Sequence, residues 1–214
     1  MGERKANILA ENIKVNSLGR KHHLIYLDDV KFSFANTEIY LSQISDLKFG
    51  LSLMQFYRFS LGSKYVISVK DSNNEINLVF INYFGLNTDY FDTLYDQITD
   101  AIWDQIADRL VAEKVQQLKS DKNFKVGNCL FNKEGITINR HNLFSNNKEF
   151  IPWEDLTYKK NYNRLSLNSK SNSQIWTNLF YTENWNVDVA MHILDWIYDQ
   201  NGLAELKSNK NKFK

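Results

Sequence analysis

Lys159, Lys160 and Arg164 lie close together in the chain, and such a cluster supplies the positive charge that a phosphate or an anionic lipid headgroup requires. They are the candidate anion-binding residues. A second group with chemical potential is His22-His23 beside Asp28-Asp29, all residue types that ligate metals. Adjacent side chains on a strand point to opposite faces, so neither pair converges easily on one ion. His141 and His192 have no partner at ligand spacing. Cys129 is the only cysteine, which excludes an intramolecular disulfide and a multi-cysteine zinc site. Its neighbours Asn128 and Leu130 read as strand and predict a small buried thiol. Glu154-Asp155 are adjacent and diverge on a strand, so they do not form an acid/base couple. Aspartates at 92, 96, 100, 104 and 108 recur every fourth residue and describe a solvated helix face.

Other catalytic signatures are missing. There is no Gly-x-Ser-x-Gly elbow, and none of the eight glycines forms a phosphate loop before a helix. The expectation is a protein that is not an enzyme and uses no cofactor and no metal. Its 214 residues allow one large or two small domains, and 43% hydrophobic residues suffice for a core. Twenty-six Lys and Arg against 25 Asp and Glu argue against a dedicated nucleic-acid binder. No apolar run reaches the length of a membrane-spanning helix, and the start of the chain lacks a secretory apolar core. A cytoplasmic location is expected.

The elements that must position these residues follow from periodicity. His23 to Phe34 has strand composition broken by a turn at Asp28-Asp29. Thr37 to Phe49 alternates and then shifts, as a bent strand does. Tyr65–Lys70 and Ile76–Ile81 flank a polar turn and form a hairpin. From Asn87, apolar residues at 91, 94, 98, 102, 106 and 110 predict a helix to about Leu118. Residues 119–123 are a polar break and the expected linker. Phe124 to Phe131, then Ile136–Asn139, restart the strand pattern. Phe150-Ile151-Pro152-Trp153-Glu154-Asp155-Leu156 reads as a strand with Ile151, Trp153 and Leu156 inward. Leu165–Asn168 and Ile175–Tyr181 follow, and then a helix from Asn186 that Gly202 should end.

The chain is laid out twice. Asn87-Thr-Asp89 recurs as Asn186-Val-Asp188, 99 residues on, and Ser72–Ile76 recurs as Ser171–Ile175 at the same offset. Ile39, Leu41 and Ile44 fall on Ile151, Trp153 and Leu156, and Phe32 on Phe144, at an offset of 112. The first half therefore carries extra residues, expected as a loop around Gly50–Tyr57. These patterns predict an α+β protein of two units, residues 1–118 and 124–203, with a basic tail over 204–214.

Gly135-Ile-Thr-Ile138, Phe150–Leu156, the following hairpin and Trp185–Trp196 resemble pleckstrin-homology-like domains of the bacterial kind, with a weaker copy in Glu38–Leu47 and the helix after Asn87. The resemblance implies two tandem units, each a mostly antiparallel bent sheet or small barrel closed by a C-terminal amphipathic helix. It implies a fold and no activity. Family members that grip phosphoinositides use a basic loop between their first two strands; the matching Asn132-Lys133-Glu134-Gly135 lacks that fork. The function expected is therefore a non-catalytic module that binds another protein. Attachment to anionic lipid through Lys159, Lys160 and Arg164 is the alternative, and an enzyme of unrecognised type the third reading.

Overall fold

The structure, a computed structural model, describes residues 9–142 and 145–208. It is an α+β protein of four small antiparallel sheets and three helices, and among the described residues no sheet closes into a barrel. Two compact units are present, residues 1–108 and 109–214. Among the described residues no helix is long and apolar enough to cross a membrane.

In the first unit, β1 (Leu9–Lys14), β2 (His22–Leu27), β3 (Lys31–Phe34) and β4 (Thr37–Tyr40) form an up-and-down sheet. A 3-10 turn at Leu41–Gln43 leads to a second sheet of β5 (Asp46–Phe56), β6 (Phe59–Lys70) and β7 (Glu75–Tyr83). Alternating Ile76, Leu78 and Phe80 of β7 are buried, as a half-buried strand requires. Helix α1 (Thr88–Lys119) starts at Asn87, whose φ of 60° places it in the left-handed region that asparagine tolerates. Phe91, Leu94, Ile98, Ile102 and Ile106 are all buried, so the 3.6-residue period reads correctly. The helix continues past Asp108 into the second unit, where Leu110 and Leu118 are buried.

The second unit repeats this order. Its first sheet comprises β8 (Phe124–Val126), β9 (Cys129–Asn132), β10 (Gly135–Asn142) and β11 (Ser145–Pro152). A 3-10 turn at Trp153–Asp155 precedes β12 (Leu156–Asn161), β13 (Arg164–Ser169) and β14 (Trp176–Phe180), and helices α2 (Val187–Asp199) and α3 (Gly202–Ser208) follow. Asn186, with φ 62°, again opens the helix, and its carbonyl accepts the Ala190 N–H as that of Asn87 accepts the Phe91 N–H.

The repeat extends to hydrogen bonds. Asp28 Oδ1 accepts the N–H groups of Val30 and Lys31 at 2.8 Å, and Asn132 Oδ1 accepts those of Glu134 and Gly135 at 2.9 Å. Both are Asx turns, in which a short side chain replaces a backbone acceptor. The next residue pair also corresponds: Leu41 N–H donates to Val30 O and Trp153 N–H to Glu134 O. Ile39, Leu41 and Ile44 match Ile151, Trp153 and Leu156 in being buried.

Six expectations are corrected. Phe150–Leu156 is not one strand, because β11 stops at Pro152 and Trp153 turns inward on the 3-10 turn; Thr37–Phe49 is divided in the same way. Register makes Ile136, not Phe144, the counterpart of Phe32, since each is paired with the matching isoleucine, Ile151 and Ile39; Phe144 itself lies outside the described residues. Gly50–Tyr57 is no loop: residues 50–56 are the outer length of β5, and Tyr57 opens the turn to β6. Phe124–Phe131 is two strands, since Gly127, at φ 55°, makes a two-residue turn with Asn128. Gly202 does not end α2; Asn201, at φ 60°, takes the left-handed position after it, and Gly202 begins α3 beneath the Trp196 ring. Of the expected basic tail, residues 209–214 also lie outside the described residues.

Gly62 shows how closely β6 and β7 approach. Its φ is 124°, and an added Cβ would stand 1.8 Å from the Asn82 carbonyl oxygen. Gly62→Ala is expected to destabilise the first unit by about 1–3 kcal/mol from backbone strain alone. Urea unfolding beside a Ser63→Ala control measures this, and equal midpoints for the two variants would contradict it.

Candidate functional site

A groove of about 590 Å³ opens at one end of the first sheet, lined chiefly by His22, His23, Leu24, Ser33, Phe34 and Glu38. The β3–β4 turn shapes it. Ala35 and Asn36 have φ of 50° and 70°, as a tight two-residue hairpin turn demands. Ser33 stands opposite Glu38 on one face, whereas the His23 ring meets Phe34 at 5.6 Å on the other. Leu24 keeps 63% of its surface exposed at the groove wall. Apolar walls and a few polar groups of both kinds are the composition of a binding site.

The carboxylates at and beside the groove are engaged by neighbouring groups. Glu38 is engaged by Lys31 at 2.7 Å, and Lys31 also stands over the Tyr26 ring. The Tyr26 hydroxyl donates to Asp28 Oδ2 at 2.7 Å, which with the turn N–H groups holds the Asp28 carboxyl below its usual range. Asp28 is therefore occupied by its own turn, and Asp29 accepts from Gln105. Among the described residues no three His, Cys, Asp or Glu side chains are grouped to hold a metal.

The basic cluster divides between two faces of the second unit's three-stranded sheet. Lys160 ion-pairs with Asp195 of α2 at 2.7 Å, and Tyr158, two residues earlier on the same face, donates to the other oxygen at 2.8 Å. Burial opposes ionisation of Asp195, but the bonds from Lys160 and Tyr158 outweigh it and hold its pKa down. Lys159 points away from that helix. Arg164, paired across the hairpin with Asn161, shares the Lys159 face. There Asn161 donates to Ser166, and Ser166 to Asn178. The three cations thus form no single clamp: Lys159 and Arg164 are brought to one face, and Lys160 is held on the other.

The remaining candidates have structural employment. Cys129 is fully buried, and burial pushes its thiol up to about 12, so no thiolate nucleophile is present at neutral pH. Glu154 pairs with Lys207, while Asp155 accepts from Ser169 and Ser171 and so braces the β13–β14 turn. Asp92 of the aspartate series accepts the Tyr65 hydroxyl at 2.5 Å; Asp96, Asp100, Asp104 and Asp108 are exposed.

Sequence reasoning passed over the far end of the β5–β6 hairpin. Phe56 pairs with Phe59 across a two-residue turn of Tyr57 and Arg58, and all four are exposed, Tyr57 by 89%. The signal was present: from Leu47 to Val69 there is no Asp or Glu, and three aromatic residues crowd one turn. Comparison with known proteins finds no matching protein-family profile and no matching curated sequence.

Proposed function

We propose that the chain is a non-catalytic interaction module built of two pleckstrin-homology-like units, and that its groove at His22–Glu38 receives a segment of another protein. The recurrence of a four-stranded sheet, a 3-10 turn, a three-stranded sheet and a helix supports the fold reading. The observation that carries the functional reading is the groove itself, with apolar side chains at Leu24 and Phe34 and polar groups at its rim. An extended segment entering it places an apolar side chain against Leu24 on the Ser33–Glu38 face, while the Phe34 ring borders the groove from the other face. Its polar backbone meets the rim hydroxyls and imidazoles.

A comparative pull-down from the source cell tests this. Wild type is expected to retain a specific protein that the Leu24→Asp/Glu38→Lys double variant releases. Both side chains are on the surface, so the variant is expected to melt with wild type. Equal recovery by the two proteins would contradict the reading.

A further inference from the structure

Half of the 14 large apolar side chains exposed among the described residues lie between Leu53 and Tyr90, so exposure is concentrated at one end of the first unit. The β5–β6 hairpin forms the projecting part of that end. β7 begins to pair with β6 only at Gly62, and the β5–β6 register shifts at Met54/Gln55. Residues 55–60 consequently form a two-stranded tip beyond the sheet. At its base, the Phe84 N–H donates to Leu61 O, which fixes a further exposed aromatic there. Tyr57 has a φ of 54°, where glycine or asparagine is the usual choice, and its ring meets Phe56 edge-on at 5.0 Å. A bulky aromatic kept in a strained turn and turned to solvent adds nothing to the core.

Charge indicates what such a tip meets. The chain as a whole is nearly neutral, yet the outer part of the hairpin, from Leu51 to Tyr65, carries Arg58 and Lys64 and no carboxylate. We propose that the tip is a membrane-docking wedge, with Phe56, Tyr57 and Phe59 entering the interfacial layer of an anionic bilayer and Arg58 meeting lipid phosphates. Aromatic rings and a snorkelling arginine are the side chains that suit this layer. The projecting, two-stranded shape offers its apolar groups to a broad surface, and Lys64 adds attraction from behind them. This docking is distinct from segment binding in the groove and does not depend on it.

Flotation of the full chain tests the proposal, using vesicles of phosphatidylcholine alone and of equal parts phosphatidylcholine and phosphatidylglycerol. Wild type is expected on the anionic vesicles, with binding that weakens as salt rises. Phe56→Ser/Tyr57→Ser/Phe59→Ser is expected to lower partition about tenfold or more, and Arg58→Glu to lower it several-fold. Circular dichroism and melting report the fold of each variant. If the triple variant unfolds, Tyr57→Gly carries the test, because glycine suits the left-handed turn while removing the ring. Leu24→Asp/Glu38→Lys is expected to leave flotation unchanged, which separates this proposal from the groove. Absence of wild type from anionic vesicles overturns the proposal, as does binding that survives every tip variant. Loss on Lys159→Glu/Arg164→Glu instead assigns the contact elsewhere and overturns it too. Conversion of a dimer to a monomer by the tip variants, without vesicle binding, makes the tip a self-association surface and likewise overturns it.

Discussion

Trp153→Ala is expected to destabilise the second unit by about 3–5 kcal/mol, the cost of truncating a large core aromatic. Trp153 is 1% exposed and packs near the Phe131 ring, with centroids 6.2 Å apart. Its Nε1–H donates to Lys133 O at 3.0 Å, and its own carbonyl accepts the Tyr198 hydroxyl at 2.6 Å. One residue thus joins three elements: its side chain reaches β9 and the turn before β10, and its main-chain carbonyl holds α2. The cavity left by alanine cannot be refilled without moving the elements around it, and the Lys133 carbonyl loses its partner. Urea unfolding measures the loss. Trp153→Phe, which restores part of the volume but not the indole donor, is expected to fall between alanine and wild type. The first unit has Leu41 at the matching place, 2% exposed, and Leu41→Ala is expected to cost about 2–5 kcal/mol. A Trp153→Ala protein as stable as wild type would remove Trp153 from the core.

The second large effect is a pH dependence centred on Asp188, in the first turn of α2. Asp188 retains some exposure as a residue, but its Oδ2 is closed to solvent and has no hydrogen-bond partner among the described residues. Burial raises its pKa from 3.8 to about 7, because the carboxylate loses hydration that a backbone hydrogen bond only partly offsets. The folded chain therefore binds this proton more tightly than the unfolded chain does. The stabilisation is fully present below about pH 4 and is lost as pH rises through about 7. At higher pH the folded state carries a penalty on the order of 4 kcal/mol relative to acid conditions. Asp188→Asn stays neutral throughout, so the stability difference between wild type and variant isolates this group from other carboxyls. That difference is expected to move in favour of the variant by the same order between pH 4.5 and about 8.5. A constant difference across the range would place the Asp188 carboxyl in water.

The sequence reveals elements that depend on periodicity and hides those that depend on a single backbone angle. Helix α1 is legible because Phe91, Leu94, Ile98, Ile102 and Ile106 repeat on one face over many turns. The inward set Ile151, Trp153 and Leu156 is legible for its spacing, but that spacing fits a strand as readily as the 3-10 turn that forms. Gly202 misleads because Asn201 takes the left-handed angle one residue earlier, and a Cβ on Gly202 would clash with the Trp196 ring. Its conservation of space, not of angle, explains the glycine.

The candidate sites were less legible than the fold. Lys159, Lys160 and Arg164 look like one cluster on the linear chain. Strand alternation sends Lys160 to the opposite face, and Asp195, a helix away in sequence, captures it. The groove arises from the start of β2 meeting the β3–β4 turn, a juxtaposition that antiparallel register creates and no local motif records. His22 and His23 therefore share the groove's lining with Glu38, while Asp28 is spent on its own turn at the other end of β2. Exposure of the β5–β6 tip depends on where β7 stops pairing, which strand composition does not mark.

The central claim, that the groove at His22–Glu38 receives a segment of another protein, is tested most directly by photo-crosslinking in the source cell. A benzophenone amino acid placed at Leu24 is expected to yield discrete adducts with a single partner, and the same probe at Tyr162, exposed on the second unit, is expected to yield none of that partner. A Glu38→Lys change in the Leu24 probe protein is expected to diminish the adduct. Absence of any discrete adduct at Leu24, or equal labelling from Tyr162, would contradict the account.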